Sequence, residues 1–132
     1  MGLTTGTQEI IGDKTFTGKV KFKGKVEFKR ENWTEVTAFE NSWVNYSTSW
    51  DSAAYRKDVL GFIHLKGQVK NGTIGTDIFT LPVGYRPSTL LAFPAVSNAA
   101  FGYIQIRTNG TVACMVGNNA SVGLTGITFY VG

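Results

Sequence analysis

The sequence predicts an all-β chain in two parts. An N-terminal intertwined trimeric β neck spans residues 1–30, and a C-terminal β-sandwich or barrel head spans residues 31–132. Three observations carry this. Residues 16–28 alternate strictly between apolar or glycine and polar positions, the period of a strand with one dry face. Beyond them, short stretches rich in Val, Ile, Phe, Thr and Tyr are separated by turn residues, as in sandwiches and barrels. No helical period runs beyond about two turns.

Residues 1–13 are Thr- and Gly-rich and lead into the neck; a longer native N-terminus is expected. The neck's dry face holds Phe16, Gly18, Val20, Phe22, Gly24, Val26 and Phe28, a Phe-Gly-Val triplet recurring every six residues. At ~3.3 Å per residue the strand would be roughly 40 Å long, too narrow to cover its own phenylalanines. No strand of matching length follows, so copies from other chains are the simplest partners. Three such strands about one axis would bury Phe and Val, about 1.5–3 kcal/mol each, with Gly where backbones crowd. The alternative is an amphipathic hairpin half-packed on its own domain. Residues 29–35 end the period and form the junction, where Trp33 is expected at the top of the neck.

Charge separates the two parts. Residues 14–30 hold seven basic groups and Glu27, a net +6; residues 1–13 hold Glu9 and Asp13, a net −2; residues 31–132 hold six basic and six acidic groups, a net 0. The basic character therefore belongs to the neck, spread along one solvated face. A nucleic-acid interface would concentrate it on a binding domain, so no nucleic acid is expected as a partner. The single cysteine, Cys114, allows no intrachain disulfide and no Cys-based metal site, and reads as a small buried apolar residue. No cofactor is implied. The sequence carries no secretory-signal pattern and no apolar run long enough to span a membrane. The Asn-x-Ser/Thr triplets at Asn32, Asn45, Asn71, Asn109 and Asn119 read as turn chemistry.

In the head, one strand is expected within 36–44, an ordered loop over 45–54, and a long strand over 59–69 with Ile63, Leu65 and Val69 on one face. Asn71-Gly72 should end it in a hairpin turn. A short strand over 78–81 leads into Leu81-Pro-Val-Gly-Tyr-Arg-Pro87, a rigid turn in which Gly84 can take positive φ. Strands follow over 90–96, 101–107, 111–116 and 126–131. A two-residue turn at Asn109-Gly110 would pair Arg107 with Val112 and Gln105 with Cys114, placing Ile104, Ile106, Ala113 and Met115 inside. That leaves Val112, Cys114 and Val116 on the wetter face, unless a neighbouring chain covers it or a bulge shifts the register.

Gly12-Asp13-Lys14-Thr15-Phe16-Thr17-Gly18, followed by Val20-x-Phe22-x-Gly24-x-Val26, resembles the neck of receptor-binding proteins on the baseplates and tail tips of phages infecting Gram-positive bacteria. Leu81-Pro-Val-Gly-Tyr-Arg-Pro87 and Ile104-Gln-Ile-Arg-Thr-Asn-Gly-Thr-Val112 look like the head of the same family, so the resemblance covers nearly the whole chain. It implies a homotrimer with an interlaced neck and a β-barrel head in the virion, joined to other baseplate or tail proteins through its N-terminal end. It also implies binding to host cell-wall polysaccharide without cleavage. Some heads of the family bind saccharide beside the hairpin matching residues 101–116, using His, Asp and Trp; here that hairpin presents Tyr103, Gln105 and Arg107 instead.

Sugar recognition needs flat apolar faces and planar hydrogen-bonding groups at their rim. Trp43, Tyr46, Trp50 and Tyr55, with Asn45, Asp51 and Arg56, are the densest such group, and core or trimer-interface packing is their competing reading. Tyr103, Gln105 and Arg107 alternate along one strand face. His64 lies opposite Ile63 and Leu65, as a ligand contact or a structural hydrogen-bonder. A glycan-cleaving enzyme would need two carboxylates about 5–10 Å apart; Asp51, Asp58 and Asp77 are the head's only plausible sources, and none sits in a motif. The chain therefore reads as a non-catalytic binder, with a purely structural fibre tip or trimerisation module as the alternative.

Overall fold

The computed structural model describes residues 15, 17–19, 21, 23–25 and 30–131. These are all-β, without helix, and form two sheets, one curled into a half-barrel. Eleven strands run in chain order: β1 Thr34–Glu35, β2 Val44–Asn45, β3 Ala54–Lys57, β4 Phe62–Lys66, β5 Gln68–Lys70, β6 Thr76–Thr80, β7 Leu91–Ser97, β8 Ala100–Ile106, β9 Thr111–Val116, β10 Val122–Gly123 and β11 Thr128–Tyr130. The smaller sheet has the order β1-β3-β4-β11 and the larger β2-β5-β10-β7-β8-β9-β6.

The neck's Phe and Val face lies outside the described residues. The described positions beside it bend at each glycine, with φ +77° at Gly18 and +83° at Gly24. An uninterrupted strand holds φ negative, so the straight strand expected over 16–28 is corrected at those two points. A Cβ at either glycine would meet nothing within 4 Å in the chain. Backbone conformation, rather than crowding within the chain, accounts for glycine at these positions.

The long strand expected over 59–69 is divided. Residues 58–61 form a turn closed by the Asp58 carboxylate, whose Oδ1 accepts from the N–H groups of Leu60 (2.9 Å) and Phe62 (3.0 Å). β4 then runs in the small sheet and β5 in the large one. Gly67 makes the corner at φ +117°, where a Cβ would lie 2.4 Å from the Ala53 Cα. The alternation survives the corner: Ile63, Leu65 and Val69 are all buried. β10 and β11 turn the same corner alongside, β11 pairing with β4 and β10 with β5. Thr125 Oγ1 there accepts the Gly67 N–H at 3.0 Å.

Three other expectations change. The strand expected within 36–44 is not formed: β1 ends before it at Glu35, residues 36–43 are irregular with Asn41 and Ser42 at positive φ, and β2 begins only at Val44. Asn71-Gly72 ends β5 but makes no hairpin with β6, which pairs instead with β9 at the far edge of the large sheet. In the 101–116 hairpin the loop holds three residues, with Gly110 at φ +90° and the Arg107 N–H donating to Thr111 O. Ile106 therefore faces Val112 and Ile104 faces Cys114, and the register then slips before Tyr103 meets Val116. Ile104, Ile106, Val112 and Cys114 are all buried, which removes the conflict in the two-residue register. Gly84 takes φ +95° within a turn closed from Tyr85 N–H to Pro82 O, as read.

The core lies between the sheets. Ile63, Leu65, Ile127 and Phe129 from one face Ile78, Phe79, Ile104, Ile106, Val112 and Val122 from the other, with Trp43, Val36, Leu81 and Leu124 closing the ends. Burial holds the Cys114 thiol above its ordinary pKa.

Candidate functional site

The nine residues singled out in sequence separate into four places. Trp43 belongs to the core, 1% exposed, with Nε1 donating to Thr76 Oγ1 at 3.2 Å. Its indole lies flat where a Cβ on Gly72 would be, 2.1 Å from the ring atoms. It presents no face to a ligand, so its place among the saccharide contacts is corrected to packing.

Tyr46 and Trp50 occupy the loop joining β2 to β3. A turn from Ser47 O to the Trp50 N–H lifts Trp50 to 54% exposure. The Tyr46 and Trp50 rings meet edge to face, centroids 5.6 Å apart, and Lys70 Nζ stands 5.5 Å from the Tyr46 ring. Asn45 Oδ1 accepts the Ala53 N–H at 2.8 Å and holds the loop's far end.

Asp51, Arg56 and His64 border the outer face of the small sheet. The Asp51 carboxylate reaches Lys66 Nζ at 3.6 Å. Lys66 Nζ also lies 4.9 Å from the Trp33 ring centroid, and the Arg56 guanidinium lies 4.4 Å from it. Cations over an indole are attracted by its negative face. Trp33 packs beneath these two cations; the neck residues on which it was expected to pack lie outside the described residues. His64 uses both ring nitrogens, Nε2 with Asp58 Oδ2 at 2.8 Å and Nδ1 with Thr128 Oγ1 at 3.1 Å. The hydrogen bond from His64 is the first cause holding Asp58 below the ordinary carboxylate pKa, followed by that from the Phe62 N–H.

Tyr103 and Gln105 on β8, with Arg107 just past its end, do share one face of the large sheet. Gln105 Nε2 donates to Tyr103 Oη at 3.3 Å. Arg107 is held by Asp77 at 2.5 Å and by Thr111 Oγ1 at 3.1 Å. Around them Val96, Phe101 and Val116 are 67%, 65% and 50% exposed. Asp51, Asp58 and Asp77 each face a nitrogen of another side chain, on three separate elements.

One strip therefore runs from Lys70 and Tyr46 through Trp50, Asp51 and Lys66 to Trp33 and Arg56. Trp33, Lys66 and Lys70 were missed in sequence. Lys66 was legible, because it continues the His64 side of an alternating strand; Trp33 was not, because its partners lie on other strands. Among the described residues no group of His, Cys, Asp and Glu is arranged to hold a metal ion. Comparison with protein-family models and with curated proteins returns no match.

Proposed function

We propose that the chain is a non-catalytic attachment protein of a phage tail tip or baseplate, binding host cell-wall saccharide as a homotrimer. The observation that carries this is the strip of aromatic rings interleaved with charged planar groups. Trp50 supplies an open apolar face for the C–H edges of a pyranose. Asp51, Arg56, Lys66 and Lys70 supply donors and acceptors at its rim. Each site is modest, and three on one axis gain about 10²–10⁴ in avidity for a repeating polymer. The neck supplies that axis in this reading, and its N-terminal end joins other tail proteins.

The structural fibre tip is the second reading. Its support is that the strip's charges are already engaged within the chain, Lys66 with the Asp51 carboxylate and Arg56 with the Trp33 ring. Calorimetry with purified wall polysaccharide of a Gram-positive host separates the two. Wild type binds, and Trp50→Ala, Tyr46→Ala and Arg56→Ala, each still folded and of unchanged mass, lose about tenfold or more. Wild type that binds neither wall polymer nor whole cells leaves the fibre tip in its place.

A further inference from the structure

The outer face of the large sheet carries a groove of about 420 Å³ beside Tyr103, which pairs with Pro94 of its wall. Gln68 on β5, Pro94, Ala95 and Val96 on β7, Gly123 on β10 and Thr125 line it. Its floor exists because residue 123 has no side chain. A Cβ there would stand 3.2 Å from Gln68 Oε1 and 3.4 Å from the Val96 carbonyl. Pro94 and Val96 make one apolar wall, and the exposed Phe101, directly opposite Val96 in register, extends it.

The polar groups are already oriented. Gln68 Nε2 donates to Ser121 Oγ at 2.5 Å, which turns Oε1 toward Gly123 as an acceptor. Thr125 Oγ1 accepts the Gly67 N–H at 3.0 Å, so its own proton is left to donate outward. The lining holds no ionisable side chain. One hydroxyl donor, one held acceptor, an apolar wall and an aromatic ring beside it match a neutral ring of vicinal hydroxyls with an apolar C–H face. An anionic ligand would meet no cation here, and an aliphatic one would leave the amide oxygen unpaired.

We infer that this groove is a binding subsite for neutral hexopyranose units of a polysaccharide, with Phe101 stacking the adjacent unit. The class of ligand rests on the attachment reading above; the site does not. The groove's volume lies within the range of small-ligand sites, roughly 300–1,000 Å³.

The test is an amide-resolved NMR titration of the full chain with neutral tetrasaccharides of glucose, galactose and rhamnose, and with a glycerol-phosphate oligomer as the anionic comparison. At least one neutral sugar saturably shifts the amides of Gln68, Gly123 and Thr125, and the phosphate oligomer does not. Gly123→Val, which fills the floor, weakens that titration at least about tenfold. Phe101→Ser, at an exposed position that folding tolerates, weakens it about threefold or more. Val83→Ser, on the exposed 82–85 turn, leaves it unchanged. Neutral sugars that shift none of the three amides, or Gly123→Val and Phe101→Ser variants that bind like wild type, overturn the proposal. The two readings fail separately. Binding of wall polysaccharide without groove shifts removes the subsite alone, and groove shifts with no binding of wall polymer or cells remove the attachment reading alone.

Discussion

Tyr85 holds its proton more tightly than a free phenol. Its hydroxyl donates to both carboxylate oxygens of Glu31, at 2.9 and 2.7 Å. That bond first, then partial desolvation, pushes its pKa from 10.0 up to about 12. The folded chain thus keeps a proton that the unfolded chain releases. The contribution is fully present below pH 10 and disappears as pH rises through about 12. Alkaline denaturation should therefore show wild type losing its margin over Tyr85→Phe across that interval; a constant difference would remove the bond from the stability account. Asp58 has the opposite sign. Its carboxyl is depressed below 3.8 by His64, so its contribution is present above that value and lost as pH falls through the lowered one. Asp58→Asn should flatten this acid limb in pH-dependent urea titrations.

The two loop tryptophans make a sharper pair. Trp43→Ala should cost about 3–5 kcal/mol in urea unfolding, and Trp50→Ala within about 0.5 kcal/mol. Sequence could not separate them: both sit in a stretch of Ser, Asn, Thr and aromatic residues. What buries Trp43 is the bare backbone of Gly72 and the Thr76 hydroxyl, supplied by a later segment. His64 was legible as an outward residue, because Ile63 and Leu65 flank it on an alternating strand. Its partner Thr128 comes from β11, which that alternation does not register.

Among elements, β4, β7 and β8 were legible because their side chains alternate between a buried and an open face; β6 and β9 do not alternate and were marked by the turn residues that bound them. β1, β2 and β10 have two residues each, too few to show a period. The corner at Gly67 was hidden for the opposite reason: the alternation passes straight through it. Its strain is nonetheless local and testable. Gly67→Ala combines φ +117° with a 2.4 Å approach to Ala53 Cα, and should cost more than about 2 kcal/mol in chemical unfolding. A neutral result would mean that the 52–53 backbone yields. The hairpin shows a third case. Asn109-Gly110 marked the turn correctly, but the loop length, and hence every facing pair, depended on Gly110 serving as the third loop residue.

For the whole molecule, the proposed trimer rests on the Phe16/Val20/Phe22/Val26/Phe28 period. Light scattering should give roughly 43 kDa, three times the 14.4 kDa chain. Phe22→Asp should dissociate it, since three carboxylates would be buried near one axis; monomeric wild type at micromolar concentration contradicts the assembly. Cell binding by the head should change little between low and physiological salt, because residues 31–132 carry six basic and six acidic groups. A steep fall would assign binding to the lysines of residues 14–30. The paired strands that turn the corner at Gly67 also govern how the head bears tension. β4 with β11 and β5 with β10 form a seam common to both sheets, so the sheets cannot slide apart under load without tearing that seam. A pull entering at Arg30 meets β1 first, a short edge strand paired with β3 at Thr34 and Glu35 and continued by the Val36 N–H to Ala53 O bond. The head should therefore yield by peeling at its entry, with the Glu31–Tyr85 bond as the latch; this carries Trp33 away from Arg56 and Lys66, while the outer face of the large sheet keeps its shape.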